Sequence, residues 1–141
     1  MTIEQVVTFS PQEALAIKQL AQKIGPNHKP LTDNDIHGMI SSPSTFLFLA
    51  KDDGAISGMI ALIVYRIPYA KKAIIEDLIV DEKYRGQGIG NQLVTRALAE
   101  ASDQGVAYVD LSSRPERIAS NGLYERLGFK KRDTNVYRLV L

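Results

Sequence analysis

The sequence predicts a mixed α/β domain, and three observations carry that expectation. Residues 44–67 read as two strand-like runs around Asp52-Asp53-Gly54, a hairpin signal. Residues 73–103 read as a strand, a glycine-rich turn and an amphipathic helix. Val106 to Leu111 follows as another apolar run, so strand, helix and strand alternate as in a βαβ unit with parallel neighbours. A hairpin is antiparallel and a βαβ unit is parallel, so the sheet is expected to be mixed.

In chain order, Ile3 to Phe9 is rich in Val and Ile and predicts a strand. Ser10-Pro11-Gln12-Glu13 is a helix start, with Ser10 as N-cap, Pro11 in the first turn and Glu13 closing a capping box. The helix carries Ala14, Ile17, Leu20, Ala21 and Ile24 inward and stops at Gly25-Pro26-Asn27. Thr32 and Asp35 give a second, weaker capping signal for a short helix through about Ile40. Strands are expected at Ser44–Lys51, Ala55–Ile67 and Ala73–Val80, with Pro68 as a breaker and Lys71-Lys72 as a solvated pair. The next helix buries Leu93, Val94, Ala97, Leu98 and Ala101 and closes at Gln104-Gly105. A last helix over Pro115–Leu127 stops at Gly128, and a hairpin over Phe129–Asp133 and Val136–Leu141 ends the order. That makes seven strands and four helices.

At 141 residues a single domain over 1–141 is expected. Seventeen basic and sixteen acidic residues leave a net charge of +1, which gives no electrostatic case for nucleic acid or an anionic membrane surface. No cysteine is present, which excludes a disulfide, a thiolate zinc site and a cysteine nucleophile. His28 and His37 are the only histidines, and without a third ligand at metal spacing a metal site is not expected. The start of the chain does not read as a signal peptide and no apolar run is long enough to span a bilayer, so a soluble, cytoplasmic protein is expected.

The stretch Tyr84-Arg85-Gly86-Gln87-Gly88-Ile89-Gly90-Asn91 carries the first chemical signal. Glycines between a strand and a helix admit positive φ and close approach of a ligand. The helix start adds free N–H groups and a positive dipole end, a cradle for phosphate oxygens. A tight connection and nothing more is an equally good reading of composition alone. A P-loop is excluded, because no Lys follows the last glycine. The dinucleotide pattern needs a third glycine where Asn91 stands, although Asp110 lies about 20 residues on, where an acid is wanted. The pattern R-x-x-G-x-G, met by Arg85 to Gly90, strongly resembles the coenzyme A pyrophosphate loop of the GNAT family of N-acetyltransferases.

A second stretch supports that resemblance. Leu123-Tyr124-Glu125-Arg126-Leu127-Gly128-Phe129 looks like the fourth-helix motif of the same family, though its apolar positions alone describe a core helix and a glycine stop. The resemblance extends over the element order of nearly the whole chain and is specific from Glu76 to Phe129. It implies the GNAT fold, a mixed twisted sheet with helices on both faces. It also implies acetyl transfer from acetyl-CoA to a primary amine in a ternary complex, with no metal.

Residue by residue, the resemblance assigns the pyrophosphate to Arg85, Gly86, Gln87, Gly88, Ile89, Gly90 and Asn91. It assigns the thioester carbonyl to a backbone N–H among Leu78, Ile79 and Val80, and the general acid to Tyr124. For the general base Glu76 and Asp77 compete; strand alternation puts Glu76, Leu78 and Val80 on one face and Asp77 and Ile79 on the other. Family members with a Glu on this strand favour Glu76, and a salt bridge is the plainer reading of Asp77. The family's Asn seven residues before the Tyr is Arg117 here, and Asn121 is the preferred contact for the pantetheine arm. Tyr65, Arg66 and Tyr69 border the acceptor side or form a solvated turn. The acceptor amine is not identified, and monomer and homodimer are both open. Two rivals remain: an acyl-CoA-binding module without catalysis, which the pairing of Glu76 with Tyr124 argues against, and a nucleotide-binding regulatory domain.

Overall fold

The computed structural model describes residues 1–25 and 27–141, so Pro26 in the expected stop after the first helix lies outside the described residues. Five strands form one sheet in the order β1-β2-β3-β4-β5. They are β1 (Thr2–Gln5), β2 (Thr45–Asp52), β3 (Ala55–Ile67), β4 (Ala70–Val80) and β5 (Val109–Asp110). The first three pairings are antiparallel and β4–β5 is parallel, as the hairpin and the βαβ pattern predict. Helices α1 (Pro11–Ile24) and α2 (Asp33–Ser41) cover one face, with Ile17, Leu20 and Ile36 packed on Leu47, Leu49, Met59 and Ala61. Helices α3 (Ile89–Asp103) and α4 (Ile118–Arg126) cover the other, with Leu93, Val94, Ala97 and Leu123 packed on Phe48, Ile60, Leu62 and Ile75. β2 and β3 read as near-continuous apolar runs because both of their faces are covered.

The two capping signals come out in the opposite order of strength. Thr32 Oγ1 accepts from the Asp35 N–H at 3.2 Å and Asp35 accepts from the Thr32 N–H at 2.8 Å, a full capping box. Ser10 accepts from the Glu13 N–H at 3.4 Å, but the Glu13 carboxylate turns outward to pair with Lys51. Lys71 and Lys72 are not a solvated pair. Lys71 Nζ donates to the Gln104 carbonyl at 2.6 Å and Lys72 Nζ to Asp110 at 2.8 Å, tying β4 to the segment that follows α3.

The expected strand at Val106–Leu111 shrinks for a local reason. Gly105, at φ +71°, and Val106 close α3 by donating to Ser102 and Ala101, the paired bonds of a Schellman stop. Val106 is therefore spent on the helix end, and the ladder with β4 runs only through Ala107, Tyr108, Val109 and Asp110. The expected closing hairpin is also absent from the described residues: no residue after Phe129 makes a backbone–backbone hydrogen bond, and five strands stand where seven were expected.

The feature that shapes the sheet is a bulge in β4. Ala61 pairs with Glu76 and Met59 with Ile79, so one residue of β3 faces two of β4, and Asp77 sits at φ +54°. Asp tolerates that left-handed conformation better than a branched residue would. Strict alternation is broken there. Ala73 and Ile75 pack toward α3 before the bulge, and Leu78 and Val80 do so after it, while Ile79 packs toward α1. Glu76 therefore does not share a face with Leu78 and Val80, contrary to the alternation expected from sequence.

Gly58, paired with Val80, sits where β3, β4 and α3 converge. A Cβ there would lie 2.8 Å from the Ile79 carbonyl oxygen and 3.1 Å from Leu93 Cδ1. Gly58→Val is expected to cost about 1–3 kcal/mol through overpacking, read as a lowered midpoint in urea denaturation. An unchanged midpoint would mean that the strand can move aside.

Candidate active site

The site is built where β4 loses its neighbour. β5 pairs with β4 only at Ala73–Val109 and Ile74–Asp110. Beyond Ile74 the two strands part, so the β4 edge through Leu78, Ile79 and Val80 has no ladder partner on that side. The Asp81 N–H donates to the Ser57 carbonyl of β3, so by alternation the Val80 N–H points to the open side. A 3₁₀ turn, Glu82–Tyr84, follows the strand; Asp81 caps it through the Lys83 N–H at 3.1 Å and is held in turn by Lys23 at 3.0 Å.

The glycine loop comes next. Arg85 folds back, its Nε donating to the Val80 carbonyl at 3.4 Å. Gly86 and Gly88 have φ of +78° and +79°, and a Cβ on either would meet open space. Gly88 is the N-cap of α3 and supplies no side-chain acceptor, so the N–H groups of Ile89, Gly90 and Asn91 lack partners within the helix. Residues 85–88 are exposed, whereas Ile89 is buried and anchors the first turn. Gly90 differs from the other two: a Cβ there would touch Leu123 Cδ2 at 3.4 Å and Val80 Cγ2 at 3.9 Å, so this glycine seats the loop between α4 and β4. Asn91 accepts from Thr95 Oγ1 at 3.4 Å, one turn along the same helix. The loop thus offers positive φ, open space and unpaired donors together, which fits an anionic group such as a pyrophosphate.

Tyr124 is fixed by the end of α4. The Gly128 N–H donates to the Glu125 carbonyl and the Phe129 N–H to the Tyr124 carbonyl, both near 3 Å, with Gly128 at φ +96°. This is a second Schellman stop, and its hydrophobic contact is the Phe129 ring set edge-on to Tyr124 at 5.9 Å. The motif Leu-Tyr-x-x-Leu-Gly-Phe therefore explains itself physically. The glycine ends the helix, the Phe clamps the Tyr, and the Tyr sits one turn before the stop. Burial pushes the Tyr124 phenol up from its ordinary value, with Arg117 opposing weakly, so it stays protonated at neutral pH.

A cleft of about 1190 Å³ brings Glu76, Asn121 and Tyr124 together. Its walls also include Ile74, Asp110, Glu125 and Arg138. Glu76 rests on the β4 side. The residue is largely exposed, but the cleft wall partly desolvates its carboxyl and lifts it above its ordinary value; the Asp77 carboxylate adds to the lift, and Arg138 opposes it. Asn121 donates its amide to the Arg114 carbonyl at 2.9 Å and so braces the turn before α4, leaving its oxygen as an acceptor. Arg117, the alternative pantetheine contact, is the N-cap residue of α4. The residues of the glycine loop do not line this cleft; Gly90 faces Leu123, the α4 residue next to the cleft residue Tyr124. Asp110, the acid a dinucleotide reading would need, is instead engaged by Lys72. Arg138 was not singled out from sequence, because nothing local marks a lone Arg in an apolar run as a cleft residue. His37 stacks on Phe9 at 4.1 Å, a packing role beside α1.

The family model for "Acetyltransferase (GNAT) family" matches residues 14–129. The chain belongs to the GNAT family. Mycothiol acetyltransferase of Beutenbergia cavernae is 31% identical to this GNAT chain over 134 residues, covering 89% of the chain and 45% of that protein. Aminoalkylphosphonate N-acetyltransferase of Salmonella typhimurium is 33% identical over 91 residues, covering 63% of the chain and 59% of that protein. The chain thus spans about half the length of these curated relatives. An aminoglycoside acetyltransferase from an uncultured soil metagenomic sample, solved with sisomicin, superimposes at a TM-score of 0.86 and 17% identity, over 99% of this chain and 96% of that one. At that identity the likeness is one of GNAT fold.

The raised Glu76 carboxyl carries a stability prediction. A folded-state pKa above the unfolded one contributes stability below the unfolded pKa and loses it as pH rises through the folded pKa. Glu76→Gln should therefore be slightly more stable than wild type at pH 7, with the gap closing by pH 4. Thermal melts across that range test it; a gap that does not change with pH would remove the burial argument.

Proposed function

We propose that this chain is an acetyl-CoA-dependent N-acetyltransferase that transfers acetyl directly to a primary amine. The observation that carries the reading is that one cleft holds a carboxylate with a raised pKa, Glu76, and a buried protonated phenol, Tyr124, beside the parted β4 edge. Membership of the GNAT family supports it. So does the likeness in fold to a solved aminoglycoside N-acetyltransferase in complex with CoA, at a TM-score of 0.81 and 16% identity.

In this reading the unpaired donors of Ile89, Gly90 and Asn91, with Arg85 and the open backbone of Gly86 to Gly88, hold the pyrophosphate. Asn121 contacts the pantetheine arm. A backbone N–H among Leu78, Ile79 and Val80 donates to the thioester oxygen as it gains negative charge. Glu76 accepts the proton of the acceptor ammonium, directly or through a water, so that the amine nitrogen forms the new C–N bond. Tyr124 donates its proton to the sulfur as the C–S bond breaks, and the second proton that the nitrogen sheds in becoming an amide restores the phenol. Raised pKa values suit both roles: a more basic Glu76 takes a proton more readily, and a weakly acidic Tyr124 keeps its proton until it is needed.

Calorimetric titration with acetyl-CoA, with NAD and ATP as controls, tests the loop. Wild type should bind acetyl-CoA alone, and Gly88→Glu should lose binding while keeping its circular dichroism. Binding of NAD in preference would overturn the assignment. In a screen of amines, Tyr124→Phe should lower kcat by about a hundredfold, the scale of a lost general acid, with acetyl-CoA affinity nearly intact. Equal loss of both would make Tyr124 a binding or packing residue. The rate should rise with pH through the elevated Glu76 pKa, and fall only above about pH 10, where an ordinary Tyr begins to ionise. Tight acetyl-CoA binding without turnover of any amine would favour a non-catalytic module.

A further inference from the structure

One wall of the cleft that holds Glu76 and Tyr124 is basic. Lys130, Lys131, Arg132 and Arg138 line it, and all four come from the segment that follows α4. Asp133 of the same segment does not line it. The cleft's carboxylates are Glu76, Asp110 and Glu125, and Asp110 is already engaged by Lys72 at 2.8 Å. None of the four cations belongs to an ion pair among the described residues; those pairs use the N-terminus, Lys18, Lys23, Lys51, Lys72 and Arg96. The whole chain carries a net charge of only +1, so the basic wall is a local concentration. Cations gathered in a concave site without carboxylate partners draw in an anion and turn away a second cation.

Arg138 is the one set against the reacting groups. Of the four, it alone is near enough for its charge to act on the Glu76 carboxyl. Yet the two form no ion pair among the described residues, so they face each other across a gap. An amine seated at Glu76 would bring whatever it carries a few bonds away up to the guanidinium. The cradle formed by residues 85–91 lies outside this cleft, so an anion held there leaves the basic wall unused.

We propose that the acceptor is a small primary amine bearing an oxyanion, a carboxylate or a phosphoryl group, which Arg138 binds while Glu76 receives the amine. The inference rests on the acetyl-transfer reading and names its substrate class. A planar guanidinium presents paired donors that match two oxygens of either group. Lys130, Lys131 and Arg132 add a field of the same sign from more mobile side chains, and that field disfavours polyamines and other cationic acceptors. The bonds made and broken are unchanged, because Arg138 touches only the part of the acceptor that does not react.

Four amines of similar length test this: β-alanine, aminoethylphosphonate, β-alaninamide and diaminopropane. The thiol of released CoA reports turnover without background, since the chain has no cysteine. At least one of the two anionic amines should exceed both the amide and the diamine in kcat/KM by about tenfold or more, the scale of a charge-assisted hydrogen bond. Whichever leads identifies the oxyanion. In Arg138→Gln that ratio should collapse toward one, chiefly through KM, and Arg138→Lys should restore part of it. Acetyl-CoA affinity should hold in both variants. Calorimetric titration of the CoA complex with the same amines reads the preference where no acetyl group can move. A preference there without any turnover would refute acetyl transfer and keep the anion site. Turnover without a charge preference, or a preference that survives Arg138→Gln, would overturn the inference and leave acetyl transfer standing. So would loss of acetyl-CoA binding in Arg138→Gln, because the guanidinium would then serve the cofactor.

Discussion

The site depends on one constraint: β4 must satisfy β3 along its whole length and β5 over only two residues. The antiparallel ladder with β3 runs from Ala70 to Val80, interrupted by the bulge at Asp77. The parallel ladder with β5 covers Ala73 and Ile74. A strand held firmly on one edge and released on the other presents free backbone donors without losing its place in the sheet. The bulge adds a change of phase, so that the apolar residues after it, Leu78 and Val80, still pack against α3 while Glu76 turns to the other face. In a regular strand of the same sequence, Asp77 and Ile79 would face α3 in place of Leu78 and Val80, and the end of the strand would be repacked.

Two helix ends then bring polar groups to that opening by opposite means. The start of α3 is left uncapped: Gly88 supplies the left-handed turn and no side chain, which keeps donors available for an anion. The end of α4 is closed by a Schellman stop, and the residue that this stop clamps is Tyr124. An open end suits a group that must bind and leave. A closed end suits a side chain that must hold one position while its neighbours change. Gly90 brings the two ends together, since only a residue without a Cβ avoids crowding Leu123 there.

Much of this was legible in local sequence. Capping residues, glycine stops and the periodicity of α1 and α3 mark their own positions, because each depends on neighbours within about four residues. The strand over Ala55–Ile67 was legible for the same reason, its apolar run being bounded by turn residues. The bulge was not, because Asp77 carries no local mark of a left-handed conformation. What makes it necessary is the register of β3, ten or more residues earlier in the chain. Lys72 was likewise misread as solvated, since its partner Asp110 lies 38 residues away.

The sequence by itself determined the order of the elements, the glycine loop at Arg85 to Asn91 and the helix stop that follows Tyr124. Each is a short-range consequence of glycine conformation, capping and apolar spacing. Only the tertiary structure decided which face Glu76 occupies, that Glu76 and Tyr124 share one cleft, and that Val136–Leu141 lies unpaired along its wall. Those outcomes follow from strand register and from the parting of β4 and β5. Register is set by the summed packing of both sheet faces, and no window of the chain contains both sides of that balance.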